Sequence, residues 1–383
     1  MKNVPVFTSR LFNSFWMGGF ESADHINGRL ARVNMIEATQ HDRFAADDFA
    51  RLKTLGIRTV RESVSWHRIE RDGRYDFSSL APIAEAAHRS GVQVIWTLCH
   101  YGWPDDVDLF SPEFIARFAH YCQATVHFLA RFTTGPAFYA PINEISFFAY
   151  ASGEEGMFHP FARERGGELK RQLVRAVIAG ARAIWAADPK ARIVHIDPII
   201  NVFAPADRPE LAPHAAAHTE SQFEVWDMLA GLREPELGGE SRYLDIIGAN
   251  FYHNNQWEFE GSRLRWDEGP HDPRWIPLRD LLAAVYRRYQ RPLFLSETSH
   301  FGVGRAAWFA ETADEVRRAI DAGTPIEGVC LYPILDRPDW HDSEHWHHSG
   351  LWDLEPDAGG RLQRILIADY AAELKRLQGQ SRS

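Results

Sequence analysis

The chain has 383 residues, 45% hydrophobic and 25% charged, a balance that supports a large globular core. A formal net charge of −10 argues against nucleic acid or an anionic membrane surface as a partner. The ring content is high, with 13 Trp, 24 Phe and 11 Tyr; rings in a cleft suit sugar faces, although most must fill core.

The opening MKNVPVFTSRLFNSFWMGG lacks the sustained apolar stretch of a leader, and no run of 18 apolar residues follows. A cytoplasmic protein without a membrane span is expected. Cys99, Cys122 and Cys330 lie far apart with neither CxxC nor His spacing, and read as small buried hydrophobes in a reducing compartment.

Eight short apolar runs, rich in β-branched and aromatic residues, follow along the chain: SFWMGGF, RTVRESVSW, VQVIWTLCH, AFYAPINE, ARIVHID, LDIIGANFY, PLFLSET and EGVCLYPI. Amphipathic segments separate them. In PEFIARFAHYCQATVHFLAR, Ile115, Phe118, Cys122, Thr125 and Leu129 recur at helical spacing, as do Val174, Val177, Ala181 and Trp185 in LVRAVIAGARAIW. FSSLAPIAEAAHRSG ends on Gly91, suited to close a helix before the next strand. Eight strand–helix units predict a single (β/α)8 barrel over residues 1–378, with 379–383 as a tail. A doubly wound open sheet is the alternative, but neither GxGxxG nor GxxxxGK[ST] occurs.

Chemistry in such barrels sits at the carboxyl ends of the strands. Those ends carry Arg61 on the second strand, His100 and Tyr101 on the third, and Asn143 and Glu144 on the fourth. Asn250 and Tyr252 follow on the sixth, Glu297 on the seventh and Tyr332 on the eighth, ahead of the loop DRPDWHDSEHWHHSG. Glu144 lies in the apolar stretch PINEISFF, where an unpaired carboxylate is costly, so it is paired, protonated or in use. A buried ion pair is the plain explanation. Two carboxylates on strands four and seven, with His, Asn, Tyr, Arg and Trp at neighbouring ends, form the inventory of a sugar-cleaving site.

The motifs then become specific. VRESVSW at 60–66 resembles YRFSISW of glycoside hydrolase family 1, and TLCHYGWPDD resembles TLxHWDLPxx. PINE is similar to TxNE, IIGANFY to FxGINYY, FLSETSHFG to the ITENG run, YPILDRPDW at 332–340 to WSLLDNFEW, and SGLWDLE to RFGLxxVD. The matches keep their order over residues 12 to 354. This resemblance to the retaining β-glucosidase and β-galactosidase family of clan A implies Glu144 as acid/base and Glu297 as nucleophile. It implies Arg61 and Tyr252 as partners of Glu297, with Asn143, His100 and Trp340 as hydroxyl-binding positions. Glu144, among Ile142, Ile145 and Phe147, is expected to hold a proton near neutrality, and Glu297, facing a cation, to stay ionised. Retention predicts carboxyl groups about 5–5.5 Å apart.

Three sugar-binding positions depart from the pattern. His25 stands where the family's QIEG run has Gln, Asp339 where its glycone-binding Glu falls, and Tyr332 where its platform Trp falls. These changes imply an unusual sugar or linkage, or a distant branch of the clan, while the lack of Lys or Arg from Asp339 to His348 argues against a 6-phosphosugar. Glu62 replaces an apolar residue and reads as a partner for a neighbouring Arg. Trp16, Trp103 and Trp346 are candidate platforms or core, and His195 reads as a barrel-filling side chain. His341, His345, His347 and His348 fit no zinc spacing, so no metal and no cofactor are expected. A carbohydrate is the expected partner. A transglycosidase with the same pair, or a carbohydrate-binding barrel without catalysis, are the alternatives.

Overall fold

Each of the eight apolar runs forms a strand buried on both faces, as parallel strands under a helical layer must be. The computed structural model describes residues 7–267 and 271–380. Its strands are β1 (Trp16–Gly19), β2 (Thr59–Ser63), β3 (Gln93–Thr97), β4 (Phe138–Ala140), β5 (Arg192–Pro198), β6 (Ile246–Asn250), β7 (Leu293–Thr298) and β8 (Ile326–Leu331). They pair in parallel in chain order, and β8 closes on β1, giving the (β/α)8 barrel. Register is regular at the β2–β3 seam, where Thr59, Arg61 and Ser63 face Gln93, Ile95 and Thr97.

Inside the barrel, Met17, Ile95, Phe138, Val194, Ile196, Ile246, Phe294 and Cys330 form one apolar cluster. Phe12 closes its amino-terminal end, with ring centroids 5.2 Å from both Phe138 and Phe294. Side chains alternate along a strand, so Val194 and Ile196 inside put His195 outside. There it hydrogen-bonds the Tyr243 carbonyl between barrel and helices, and does not fill the barrel as its sequence suggested.

The helices start and stop where their sequences direct. Ser111 caps the helix Pro112–Leu129 by accepting the Phe114 N–H, and Pro112 occupies its first turn. The helix Ala81–Ser90 ends at Gly91 in the left-handed conformation, with φ 64°. Phe118, Cys122, Thr125 and Leu129 are buried, while Ile115 and Trp185 lie at the edges of their apolar stripes and are only partly covered. All three cysteines are free and buried. Among the described residues, no helix is long and apolar enough to cross a membrane. Residues 1–6, at the start of the opening stretch, and 381–383, within the expected tail, lie outside the described residues.

Beyond the carboxyl ends of the strands, Asn201–Phe203 and Gln256–Glu258 pair as a small parallel sheet, and Trp352–Pro356 and Leu362–Leu366 as an antiparallel hairpin. Glu62 points away from the barrel and bonds His41, not an arginine, and His41 bonds Asp48 in turn. The two carboxylates hold the buried imidazole positively charged up to about pH 9, against the desolvation that opposes it.

Phe138→Ala would leave a ring-sized hole at the barrel centre. It is expected to lower stability by about 3–5 kcal/mol, measured by chemical denaturation. A loss below about 1 kcal/mol would contradict the packing described.

Candidate active site

Arg61 organises the upper end of the barrel. Its side chain rises inside from the middle of β2 and is 1% exposed. One nitrogen, Nη1, donates to Glu297 Oε1 at 2.7 Å and to the Ser296 carbonyl at 2.9 Å; the other, Nη2, donates to Asn143 Oδ1 at 2.9 Å. The guanidinium also lies over the Tyr332 ring, 4.9 Å from its centroid. Glycine at position 19 makes room for that ring, since a Cβ there would fall 2.1 Å from Tyr332 Cδ2. The second oxygen of Glu297 accepts the Tyr252 hydroxyl at 2.7 Å.

Glu144 is set by an irregular continuation of β4. The Asn143 N–H bonds the Cys99 carbonyl and the Glu144 N–H bonds the Ile196 carbonyl, so both neighbouring strands fix the backbone. Glu144 itself is left-handed, with φ 43°, as is Tyr101, with φ 70°. Non-glycine residues in this region carry strain and persist where surrounding contacts over-determine them. Here the two are bonded together: the Tyr101 hydroxyl donates to Glu144 Oε2 at 2.7 Å, and Asn250 Nδ2 donates to Oε1 at 2.7 Å. Polar partners thus meet Glu144 inside its apolar setting.

Desolvation is the largest influence on the Glu144 carboxyl, and the nearby charge of Glu297 acts in the same direction. Together they outweigh the two hydrogen bonds and push its pKa from 4.5 up to about 8. Asp197, at the carboxyl end of β5, is likewise raised to about 7 by burial; it accepts both the N–H and the hydroxyl of Ser146 in the turn after Glu144. His100 is held well below 6.5 by burial and by the cations Arg61 and Arg337. A neutral His100 fits its contacts, because Asn143 Nδ2 donates to Nε2 at 3.1 Å, leaving Nδ1–H to donate to Ser22 Oγ at 3.0 Å.

These groups face one cavity of about 600 Å³ at the carboxyl ends of the strands. Glu144, Glu297, Tyr252, Asn143, His100, Tyr332 and Trp340 all line it. Arg61 lies just beneath, through its bonds to Glu297 and Asn143. His25 and Asp339 do not line it. His25 is buried among Phe158, Trp340 and Tyr101, and both carboxylate oxygens of Asp339 serve their own loop, bonding the N–H groups of His341 and Asp342 and the ring of His347. Trp16, Trp103 and Trp346 are absent from the lining as well.

Motif matching passed over several lining residues. Tyr101 and Asn250 sit at strand ends, and that position was their signal; Glu21 lies four residues before His25 and Arg337 two before Asp339. Lys170, on the helix Gly166–Ala187, His218, on the helix Ala212–Glu220, and Trp257 with Arg263, in the segment after β6, also line the cavity, and nothing in their local sequence singles them out. Among the described residues, the donor cluster of Asp336, His348 and Asp353 lies apart from this lining, and Arg305 bonds Asp353 there at 2.6 Å. His348 joins that cluster while His347 bonds Asp339, so the histidines of this loop serve separate partners.

The model of the family described as glycosyl hydrolase family 1 matches residues 24–229. No curated protein matches the sequence. Among solved structures, a β-glucosidase from Thermotoga maritima in complex with cyclophellitol is similar in fold, with a TM-score of 0.76, 15% identity and full coverage of both chains. The same bacterium's family 1 β-glucosidase gives 0.75 at 14% identity, again over both whole chains. The AHE enzyme from Alicyclobacillus herbarius gives 0.73 at 18% identity, over 98% of this chain and 99% of the other.

The raised Glu144 pKa has a stability consequence. Between pH 4.5 and about 8 the folded protein keeps a proton that the unfolded chain has released, so this group makes stability fall as pH rises through that window. Glu144→Gln is expected to remove that slope and to melt higher than the parent at pH 8.5, with the difference shrinking towards pH 5. A parent–variant difference constant across this range in thermal unfolding would contradict the assignment.

Proposed function

The chain belongs to glycosyl hydrolase family 1, and from that premise we propose that it is a retaining β-glycosidase acting on a small β-glycoside or oligosaccharide. The observation that carries the reading is the division of labour between two glutamates on one cavity. Glu297 meets a guanidinium and a phenol, while Glu144 is held protonated near neutral pH by burial and by Glu297.

In the first displacement, Glu297 attacks the anomeric carbon as Glu144 passes its proton to the departing glycosidic oxygen, and a glycosyl ester forms on Glu297. Glu144, now a carboxylate, takes a proton from water as that water attacks the same carbon, which frees Glu297 and restores the acid. Arg61 and Tyr252 aim the nucleophile, and Tyr101 and Asn250 hold the acid/base. Asn143 contacts the sugar 2-hydroxyl, where a hydrogen bond gains most in the transition state. His100, Tyr332 and Trp340 line the glycone end, and Trp257 with Arg263 stacked on it at 4.1 Å lies on the aglycone side.

A panel of aryl β-glycosides (glucoside, galactoside, mannoside, fucoside and xyloside) tests the activity. At least one member is expected to be cleaved, with Glu297→Gln reduced to background and Glu144→Gln slowed by about 10²–10⁴-fold in kcat. Proton NMR of the first-formed sugar is expected to show the β-anomer. An α-anomer would refute retention, and cleavage surviving in Glu297→Gln would remove the nucleophile assignment.

A further inference from the structure

Two of the positions that sequence matching assigns to sugar recognition, His25 and Asp339, lie outside the cavity lining, whereas Glu21 and Arg337 lie on it. Glu21 is 6% exposed. Its Oε1 accepts the backbone N–H groups of Ser22 and Ala23, each at 3.0 Å, and its Oε2 lies 3.3 Å from Arg337 Nε. A salt bridge with no further duty belongs in the core or at the surface. This one faces the reaction cavity beside the Tyr332 hydroxyl and the buried Trp340 indole N–H, which has no protein hydrogen-bond partner. An acceptor, a cation, a phenol and an open indole donor converge on the glycone end.

Connectivity orders these groups. Along one wall, Asn143 bonds His100, His100 bonds Ser22, and the Ser22 N–H bonds Glu21. If Asn143 meets the 2-hydroxyl, as proposed above, His100 falls at the next hydroxyl and Glu21 at the one beyond, on C4. Charge selects the class of sugar. At the glycone end Glu21 is paired with Arg337 and Glu297 with Arg61, while the other lining cations, Lys170 bonded to Glu224 and Arg263 stacked on Trp257, stand elsewhere on the lining. Among the described residues, a uronic acid or phosphosugar therefore brings a negative charge that meets no unpaired cation at that end.

Resting on the glycosidase reading, we infer that Glu21, held by Arg337, is the specificity-determining residue for the 4-hydroxyl of an uncharged pyranose, and takes over the function that His25 and Asp339 do not perform. Glu21 accepts the hydroxyl's hydrogen bond through Oε2, and Arg337 keeps the carboxylate in place without competing for both of its oxygens.

The test pairs ligand and protein changes. The best-cleaved aryl β-glycoside and its 4-deoxy analogue are compared in the parent enzyme, Glu21→Gln, Glu21→Ser and Asp339→Asn, with thermal unfolding to verify folding. In the parent, loss of the 4-hydroxyl is expected to lower kcat/KM by about ten- to hundredfold, the range of a hydrogen bond to a charged group. That ratio is expected to shrink by about tenfold in Glu21→Gln, to approach one in Glu21→Ser, and to persist in Asp339→Asn. An unchanged ratio in both folded Glu21 variants overturns the inference while leaving the glycosidase reading intact. Preference of the parent enzyme for an aryl β-glucuronide or a 6-phosphoglycoside overturns the uncharged-sugar assignment. If the parent cleaves no glycoside, the glycosidase reading fails and the inference with it.

Discussion

A buried guanidinium is the constraint around which this molecule is arranged. Arg61 stands within the barrel, and an arginine there without partners would be prohibitively costly, so its surroundings are built to satisfy it. It reaches β7 through Ser296 and Glu297, the end of β4 through Asn143, and the end of β8 through the Tyr332 ring. One side chain thereby ties four strands together at the level of the chemistry. Removing its carboxylate partner outright would strand a buried cation, at a cost of about 3–5 kcal/mol, whereas an amide still offers an oxygen. The group at the centre of the candidate site is therefore also part of what holds the barrel mouth together.

Much of the fold could be read directly from the sequence, and the reason is physical. Parallel barrel strands are apolar on both faces, so VQVIWTLCH and PLFLSET stand out against amphipathic helices without any knowledge of partners. Helix ends were equally legible where one residue decides them, as at Gly91. Parity was not. His195 belongs to a correctly read strand, yet which residues of that strand face inward depends on the barrel's closure, which no local stretch of sequence contains. The segment after Glu144 was likewise hidden. A short helical turn, Ile145–Phe148, runs into wider π-type turns over Ala149–Glu154, and residues that suit both shapes leave no periodic trace.

The site was legible to the extent that it follows strand ends. Glu144, Glu297, Arg61, Tyr252, Asn143 and His100 needed only the rule that chemistry gathers at the carboxyl ends of a barrel. Positions on loops obey no such rule. Asp339 occupies the right place in the motif, but its loop folds so that its own backbone N–H groups consume the carboxylate. Two residues earlier, Arg337 occupies a place that the motif match did not single out, and it faces the cavity. A motif conserves order along the chain; a binding wall conserves position in space. Loops are where the two part company.

The electrostatics of the two glutamates tie the proposed steps together. Burial and the charge on Glu297 raise the Glu144 pKa, while Asn250 and Tyr101 pull it down. Under double displacement, the Glu297 charge disappears when its oxygen bonds to the anomeric carbon. The second-largest influence raising the Glu144 pKa then vanishes, and the hydrogen bonds that favour its carboxylate remain. The residue that is protonated for the first step is thus left as a carboxylate for the second, the form that a general base requires. Hydrolysis returns the charge to Glu297, and that charge again favours the protonated acid. The hydrogen bonds from Asn250 and Tyr101 are what make this reversal workable: burial alone would favour uptake of a new proton once the aglycone has left, and the glycosyl ester would wait for a base.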